Sequence, residues 1–502
     1  MTFSVNDHDG PEGRSAILAA AGWATVFLAV AGLLQLLIPY PWDADTAYHV
    51  AVARLIARHG ILQAFPWTPF SLLSDHYADK ELLFHLLLVP LAGLPWVAAA
   101  RIVGTLLGAG LLLALHLVLR AERVPRAGLW ALLPLAASGA FVLRFALVRP
   151  HLAAIALALV AAWAALRERH LLLAGASFLY PLCYVAWQTP LLLVALAELA
   201  RLLSGRRPGW RPAAAALAGL AAGILVHPNT ANLLRLTWIV SARILVGTAW
   251  AHAPGFELGQ EFQPFHPVEA LRWLSVPLAL AVAAGVLAWR RRRDDPVPLG
   301  LALAALAFGL LTLRTSRFLE YLAPFSAAAF AVAASRWSWA RAAAAPVLAG
   351  AMVLTLLFGS SPIRALGTRG DDLPPRLAAY LQEAIPAGSQ VFTCEWGLTG
   401  ELLLALPERR FVVALDPVLF YLKDPERYRL WYDLPRQGPP DAAALIRERF
   451  GARYVLCTAN PPWSPLLRRL TADPGVRRLL KSPLWYLYDL GGPGSQGQRD
   501  LR

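Results

Sequence analysis

Charge is what this 502-residue sequence is short of: 16% of its residues are charged against 57% hydrophobic, and its mean hydropathy is +0.50. Soluble globular domains carry about 25% charged residues, so the composition excludes an ordinary soluble protein and points to a lipid bilayer as solvent. Cysteine is equally scarce. Three of them, Cys183, Cys394 and Cys457, exclude a disulfide framework. Only the last two could pair, in an oxidising compartment, and buried thiols are the expectation. A basic n-region is missing as well: Met1 to Gly13 is polar and acidic, so the apolar run after Arg14 reads as a retained span rather than a cleaved leader. Long apolar runs are themselves missing after Phe358. The chain therefore divides into a transmembrane bundle, 1–358, and an α/β domain, 359–502.

The net charge of +14 would suggest nucleic acid if the basic residues gathered on one soluble face. They sit instead in short patches between apolar runs, which is membrane topology, and no nucleic-acid partner is expected. Five patches stand out: Arg120 to Arg126, Arg167 to His170, Arg201 to Arg211, Arg290 to Arg293 and Arg336 to Arg341. Placing all five in the cytoplasm requires about eleven spans, near 15–38, 99–119, 127–148, 150–166, 170–186, 188–203, 211–227, 272–290, 297–314, 318–335 and 342–358. The N-terminus is then cytoplasmic and the C-terminal domain extracytoplasmic, in a multi-pass protein of the bacterial inner membrane. Residues 81–97 are apolar but short and closed by Leu94-Pro95-Trp96, and read as an interfacial helix after an extracytoplasmic loop, 39–80.

With the topology set by the basic patches alone, the unusual polar residues collect on the opposite side. The first outer loop reads Trp42-Asp43-Ala44-Asp45-Thr46-Ala47-Tyr48-His49, followed by helical apolar spacing and Gly60 as a helix stop. Asp45 is expected to N-cap that helix, a role that leaves Asp43 unexplained. His49 falls one turn after Asp45. Asp43, Asp45 and His49 could hold a divalent cation, Mg2+ or Mn2+, or one carboxylate could act as a general base. Asp79 and Glu81 form a second acidic patch, read either as a solvated helix start or as part of the same cleft. Arg144, Arg149 and His151, then His227 and Asn229, Glu261, and Arg317 with Glu320 complete the outer ring. Ionised groups there are costly unless paired or facing a polar cavity, although a single arginine can snorkel. Together they suit an anionic lipid phosphate held by arginine, with a hydroxyl activated by Asp.

Beyond Ser360 the composition turns mixed. Helices are expected over 373–384 and 441–450, and strands over 390–393, 411–415, 454–457 and within 482–490. A Gly-rich phosphate loop and a Ser-His-Asp or Cys-His signature are both lacking there, so a separate activity is not expected. Glu395 and Asp416 fall at strand ends, where they are either solvated or in contact with an acceptor.

The motifs Asp43 to His49, Trp67-Thr68-Pro69-Phe70-Ser71, Asp79-Lys80-Glu81-Leu82, Arg149-Pro150-His151, His227-Pro228-Asn229, Glu261, Arg317-Phe318 and Glu395-Trp396-Gly397 resemble the GT-C superfamily of polytopic glycosyltransferases, and within it a bacterial branch. Lys80 stands where that branch commonly has His, and Gln188 lies in a region that commonly reads Asn-x-His. The resemblance implies a polyprenyl-phosphate-linked sugar as donor and a glycan, lipid or protein as acceptor. It also implies an acidic base in the first outer loop, carried over to Asp45 with Asp43 second. The competing readings are a transporter or flippase of lipid-linked sugars, which would place its polar residues near mid-membrane, and a non-enzymatic polysaccharide-assembly protein.

Overall fold

The computed structural model describes residues 11–38, 43–246, 260–366, 373–413, 415, 417–491 and 499–500. The bundle contains, in chain order, α1 (Pro11–Leu37), α2 (Ala44–His59), α3 (Leu82–Leu88), α4 (Trp96–Ala121), α5 (Ala127–Ala131), α6 (Leu133–Ala137), α7 (Gly139–Ala146) and α8 (His151–Leu166). It continues with α9 (His170–Cys183), α10 (Thr189–Leu203), α11 (Arg211–Val226), α12 (Thr230–Trp238), α13 (Pro267–Arg290), α14 (Val297–Arg314), α15 (Leu319–Ala334) and α16 (Ala340–Phe358).

Among the described residues, α4, α13, α14 and α16 are long and apolar enough to cross a membrane. Two bent pairs, α7 with α8 (113°) and α11 with the helix that starts at Thr230 (119°), raise the number to six if each is one span. The segment expected as a single span over 127–148 is three short helices, because Ser138 turns extended and its hydroxyl caps α7 by accepting from Phe141 N–H. The residues expected as an interfacial helix form α3 and a 3-10 turn, Val89–Leu91, with Leu82, Phe84, His85 and Leu88 buried.

Helix α15 is the axis of the bundle, since all sixteen of its residues are buried. Its alanines let neighbouring backbones approach closely, the packing that replaces hydrophobic burial where lipid is as apolar as the core. Helices α9 and α11 use the same device through Gly219 and Gly223, where a Cβ would overlap the carbonyls of Ala174 and Phe178.

At one end of the bundle Glu122 and Asp295 are locked between Arg167 and Arg336, and Trp163 Nε1 donates to Glu122 Oε1 at 2.8 Å. The basic patches around Arg120, Arg167, Arg290 and Arg336 thus meet at one end. Arg206 joins them through the Asp294 carbonyl. Glu261, Glu320 and Arg149 lie at the other.

The C-terminal sheet has strands β1 (Gln390–Thr393), β2 (Arg410–Phe411), β3 (Tyr454–Thr458), β4 (Arg477–Lys481), β5 (Trp485–Asp489) and β6 (Arg499–Asp500), in the order β2-β1-β3-β5-β4-β6. The β2-β1-β3 half is parallel and the β3-β5-β4 half antiparallel. Strand β3 is buried at every position, as a central strand covered on both faces must be. Cys394, just past β1, is bonded to Cys457 on β3, which corrects the expectation of buried thiols. Adjacent parallel strands bring the two Cα atoms to 5.2 Å, well within disulfide reach.

This domain is docked on the first outer loop rather than tethered beside it. Phe65, Leu73 and Tyr77 of the loop and Val52, Leu55 and Ile56 of α2 share one core with Leu377, Leu402 and Leu456. Phe411 N–H donates to the Trp67 carbonyl at 2.7 Å, and Trp67 Nε1 donates to the Pro407 carbonyl at 2.7 Å. The helix Thr399–Ala405 crosses α2 so closely that a Cβ at Gly400 would lie 2.6 Å from Ala44 O and Tyr48 N.

Candidate active site

Helix α2 begins two residues earlier than expected, at Ala44. Asp43, not Asp45, holds the N-cap position, and no backbone amide bonds to its side chain. Its Oδ2 instead accepts from Thr46 Oγ1 at 3.1 Å and from Arg149 Nε at 2.8 Å, while Arg149 Nη2 closes the fork on Oδ1. Arg149 also reaches Asp45 Oδ2 at 2.8 Å and Glu261 Oε2 at 3.0 Å. Glu261 continues the chain to Arg144 at 3.0 Å and to Arg317 at 2.9 Å. Arg144 bonds Glu320 through Nε at 2.6 Å and again through Nη2, and Arg317 donates to Tyr184 Oη at 2.8 Å. His151 Nε2 donates to the Arg144 carbonyl at 2.9 Å, fixing the corner between α7 and α8.

Three guanidiniums therefore face four carboxylates. Burial by itself would raise the Asp43 carboxyl, but the Arg149 charge and hydrogen bonds outweigh it and hold the group below its ordinary value. Burial would likewise raise Glu261, yet Arg317, Arg144 and Arg149 hold it well below the usual carboxylate range. Asp45 differs from its neighbours: its side chain is 35% exposed, against 6% for Asp43, 18% for Glu261 and 0% for Glu320. Asp45 is thus the carboxylate of the cluster with the most solvent access.

The expected Mg2+ or Mn2+ ligand set, Asp43, Asp45 and His49, does not fit a cation here. Arg149 occupies both carboxylates. His49 turns away from them, with Nδ1 2.9 Å from His85 Nε2 and 3.7 Å from Glu81 Oε2. Asp79 and Glu81 belong to this second group, since His85 Nδ1 lies 2.7 Å from Asp79 Oδ2. Burial pushes the His49 imidazole well below its ordinary value.

His227 and Asn229 spend their polar atoms on the outer loop. His227 Nε2 donates to the Asp79 carbonyl at 2.9 Å and its Nδ1 accepts from Asn229 N–H. Asn229 Nδ2 donates to the carbonyls of Leu62 and Tyr77. Both residues hold the loop that carries Asp79 against the start of α12. Glu395 bonds Thr458 in the C-terminal sheet, and Asp416 lies outside the described residues.

Sequence reasoning missed His85 and understated Tyr184. His85 could have been found one helical turn after Glu81, on a face shared with Leu82 and Leu88 where an imidazole has no packing reason to be.

The chain matches no family model and no curated protein. Solved structures share its fold. The oligosaccharyltransferase of Archaeoglobus fulgidus in its apo form is 12% identical, with a TM-score of 0.59 over 92% of this chain and 74% of its own. The arabinofuranosyltransferase AftD from mycobacteria is 19% identical, with a TM-score of 0.56 over 95% of this chain and 40% of its own. ArnT of Cupriavidus metallidurans, in a crystal structure bound to undecaprenyl phosphate, is 14% identical, with a TM-score of 0.57 over 94% of this chain and 99% of its own. The chain thus has the fold of polytopic GT-C membrane glycosyltransferases, as its motifs led one to expect.

Proposed function

We propose that this protein is a membrane glycosyltransferase that moves a sugar from a polyprenyl-phosphate-linked donor to an extracytoplasmic glycan, lipid or protein, with Asp45 as base. The observation that carries the reading is the partly exposed Asp45 carboxylate at the rim of an otherwise buried arginine–carboxylate cluster. Asp45 takes the proton of the acceptor hydroxyl, the hydroxyl oxygen bonds to the anomeric carbon, and the anomeric carbon–phosphate oxygen bond breaks with its electron pair leaving on the polyprenyl phosphate. Arg317 is the guanidinium of the cluster most open to solvent, at 26%, and receives the phosphate. Arg149 serves as the fixed positive charge between Asp43 and Asp45, and transfer needs no Mg2+ or Mn2+ there.

The fold supports this reading, because enzymes that share it include one solved with undecaprenyl phosphate and one solved with a dolichol-phosphate and an inhibitory peptide. A transporter would carry ionised groups at mid-bundle, whereas the ion pairs of the bundle's described helices fall at their two ends. In the bilayer we place the Glu122 end in the cytoplasm with the N-terminus, and the Asp45 end and C-terminal domain outside, in an eleven-span bacterial inner-membrane protein. A disulfide between Cys394 and Cys457 suits that oxidising side.

The test is transfer from a panel of polyprenyl-phosphate sugars in membranes by wild type, Asp45→Asn and Asp43→Asn. Full activity in both variants overturns the proposal. Reporter fusions after Lys80 and after Arg293 should report opposite sides, and finding them on one side refutes the topology.

A further inference from the structure

We propose that His49, Glu81 and His85 form a binding site for a transition-metal ion of the zinc class, separate from the Asp45 cluster. The three residues are the group of described His, Cys, Asp and Glu side chains whose ligand atoms converge: one atom from each lies within 4.8 Å of the others, and all three residues are buried. The two separations that involve His49 suit the ion. Zinc–ligand bonds of about 2.0–2.1 Å in a tetrahedron put ligand atoms about 3.3 Å apart. The observed His49 Nδ1 to His85 Nε2 and His49 Nδ1 to Glu81 Oε2 distances, 2.9 and 3.7 Å, bracket that value. Two imidazoles and one carboxylate favour zinc over magnesium or calcium, which prefer all-oxygen shells, and three protein ligands leave a fourth position open.

The surroundings are built as a metal site is built. His85 offers Nε2 to the site because its Nδ1 is engaged by the Asp79 carboxylate at 2.7 and 2.8 Å, the outer-shell contact that fixes tautomer and ring orientation in histidine–metal sites. Asp79 is itself anchored: Oδ1 accepts from Glu81 N–H at 3.1 Å, and its carbonyl accepts from His227 Nε2. Glu81 caps α3 and His85 follows one turn later, so both point the same way. His49 comes from α2, four residues after the proposed base. An ion here joins α2 to α3 and fixes the height of Asp45 above Arg149. It acts as a staple for the first outer loop and stands outside the Asp43–Arg149–Asp45 contacts.

The full-length protein in detergent, stripped and dialysed against Zn2+, should retain one equivalent by elemental analysis, and its Tm should rise with Zn2+ concentration. Co2+ in place of Zn2+ should give the visible absorption of a four-coordinate site. His49→Gln and Glu81→Gln should abolish both signals. Asp79→Asn, which leaves the three ligands in place, should weaken Zn2+ binding about 10- to 100-fold. Asp75→Asn, an exposed acid on the same loop, should leave binding unchanged. Failure of the wild type to hold stoichiometric Zn2+ would mean that Asp79, His85 and His49 form only a hydrogen-bonded string, and the proposal falls. It also falls if His49→Gln and Glu81→Gln bind as tightly as wild type. Should either ligand variant fail to fold, an unchanged affinity in Asp79→Asn decides against it.

Discussion

The two ends of the bundle each hold a knot of arginines and carboxylates, and the two knots are built on opposite principles. At the Glu122 end, two carboxylates meet two guanidiniums, and each Glu122 oxygen accepts from two donors: Trp163 and Arg167 on one, Arg167 and Arg336 on the other. The charges cancel and the network is closed. At the Asp45 end, among the described residues, four carboxylates meet three guanidiniums, Glu320 Oε2 and His151 Nδ1 are buried without a hydrogen-bond partner, and one carboxylate reaches solvent. A closed, neutral network costs least when buried. An open one with surplus charge is retained where something else must bind or react.

The sharpest way to break that contrast is to neutralise one carboxylate at each end. Asp45→Asn should cut sugar transfer by a factor on the order of 10²–10⁴, the usual contribution of a general base, with the Tm unchanged because the side chain is partly exposed. Comparable transfer by this variant would remove the functional meaning of the open end. Glu122→Ala should do the reverse. Removing the buried partner of Arg167 and Arg336 should cost about 3–5 kcal/mol of stability, read by detergent thermal melts, while transfer per folded molecule holds.

A third variant asks whether the open end depends on the C-terminal domain. Gly400→Val drives a side chain into Ala44 and Tyr48 and should cost about 1–3 kcal/mol. Because α2 carries Asp45, transfer should fall with it, and an unaffected rate would detach the domain from the site. The smallest expected effect is in pH. Asp43 and Glu261 are held below their ordinary values, so the stability they contribute is complete above their unfolded values and lost as pH falls through the folded ones. The Tm should thus stay level on this account from pH 6 to 8 and drop only below about pH 5. Asp43→Asn should flatten that acid limb, and an unaltered slope would show that Asp43 is not a source of it.

Much of this was legible in the chain. Strands β1 and β3 stand where short apolar runs between turn signals placed them, and the odd polar residues do gather opposite the basic patches. Strand β4 was not legible: Arg477-Arg478-Leu479-Leu480-Lys481 carries three basic residues and has a β-bulge, so its alternation is broken. The break of 127–148 into three helices was hidden because Ser138 and Pro134 are tolerated inside apolar spans, and only packing against Trp273, whose carbonyl accepts from Ser138 Oγ at 2.9 Å, decides that the chain turns there.

What the sequence determined by itself was where the apolar runs, the basic patches and the polar residues between them fall, since hydropathy and charge patterning act locally and add along the chain. What only tertiary structure decided was partnership. Arg149 lies more than a hundred residues from Asp43 and from Glu261, and His85 lies 36 residues from His49. No periodicity encodes such meetings, because burying an ion is favourable only when its counter-charge arrives from elsewhere in the fold. That meeting made Asp43 the anchored, buried carboxylate of the pair and left Asp45 the more exposed one.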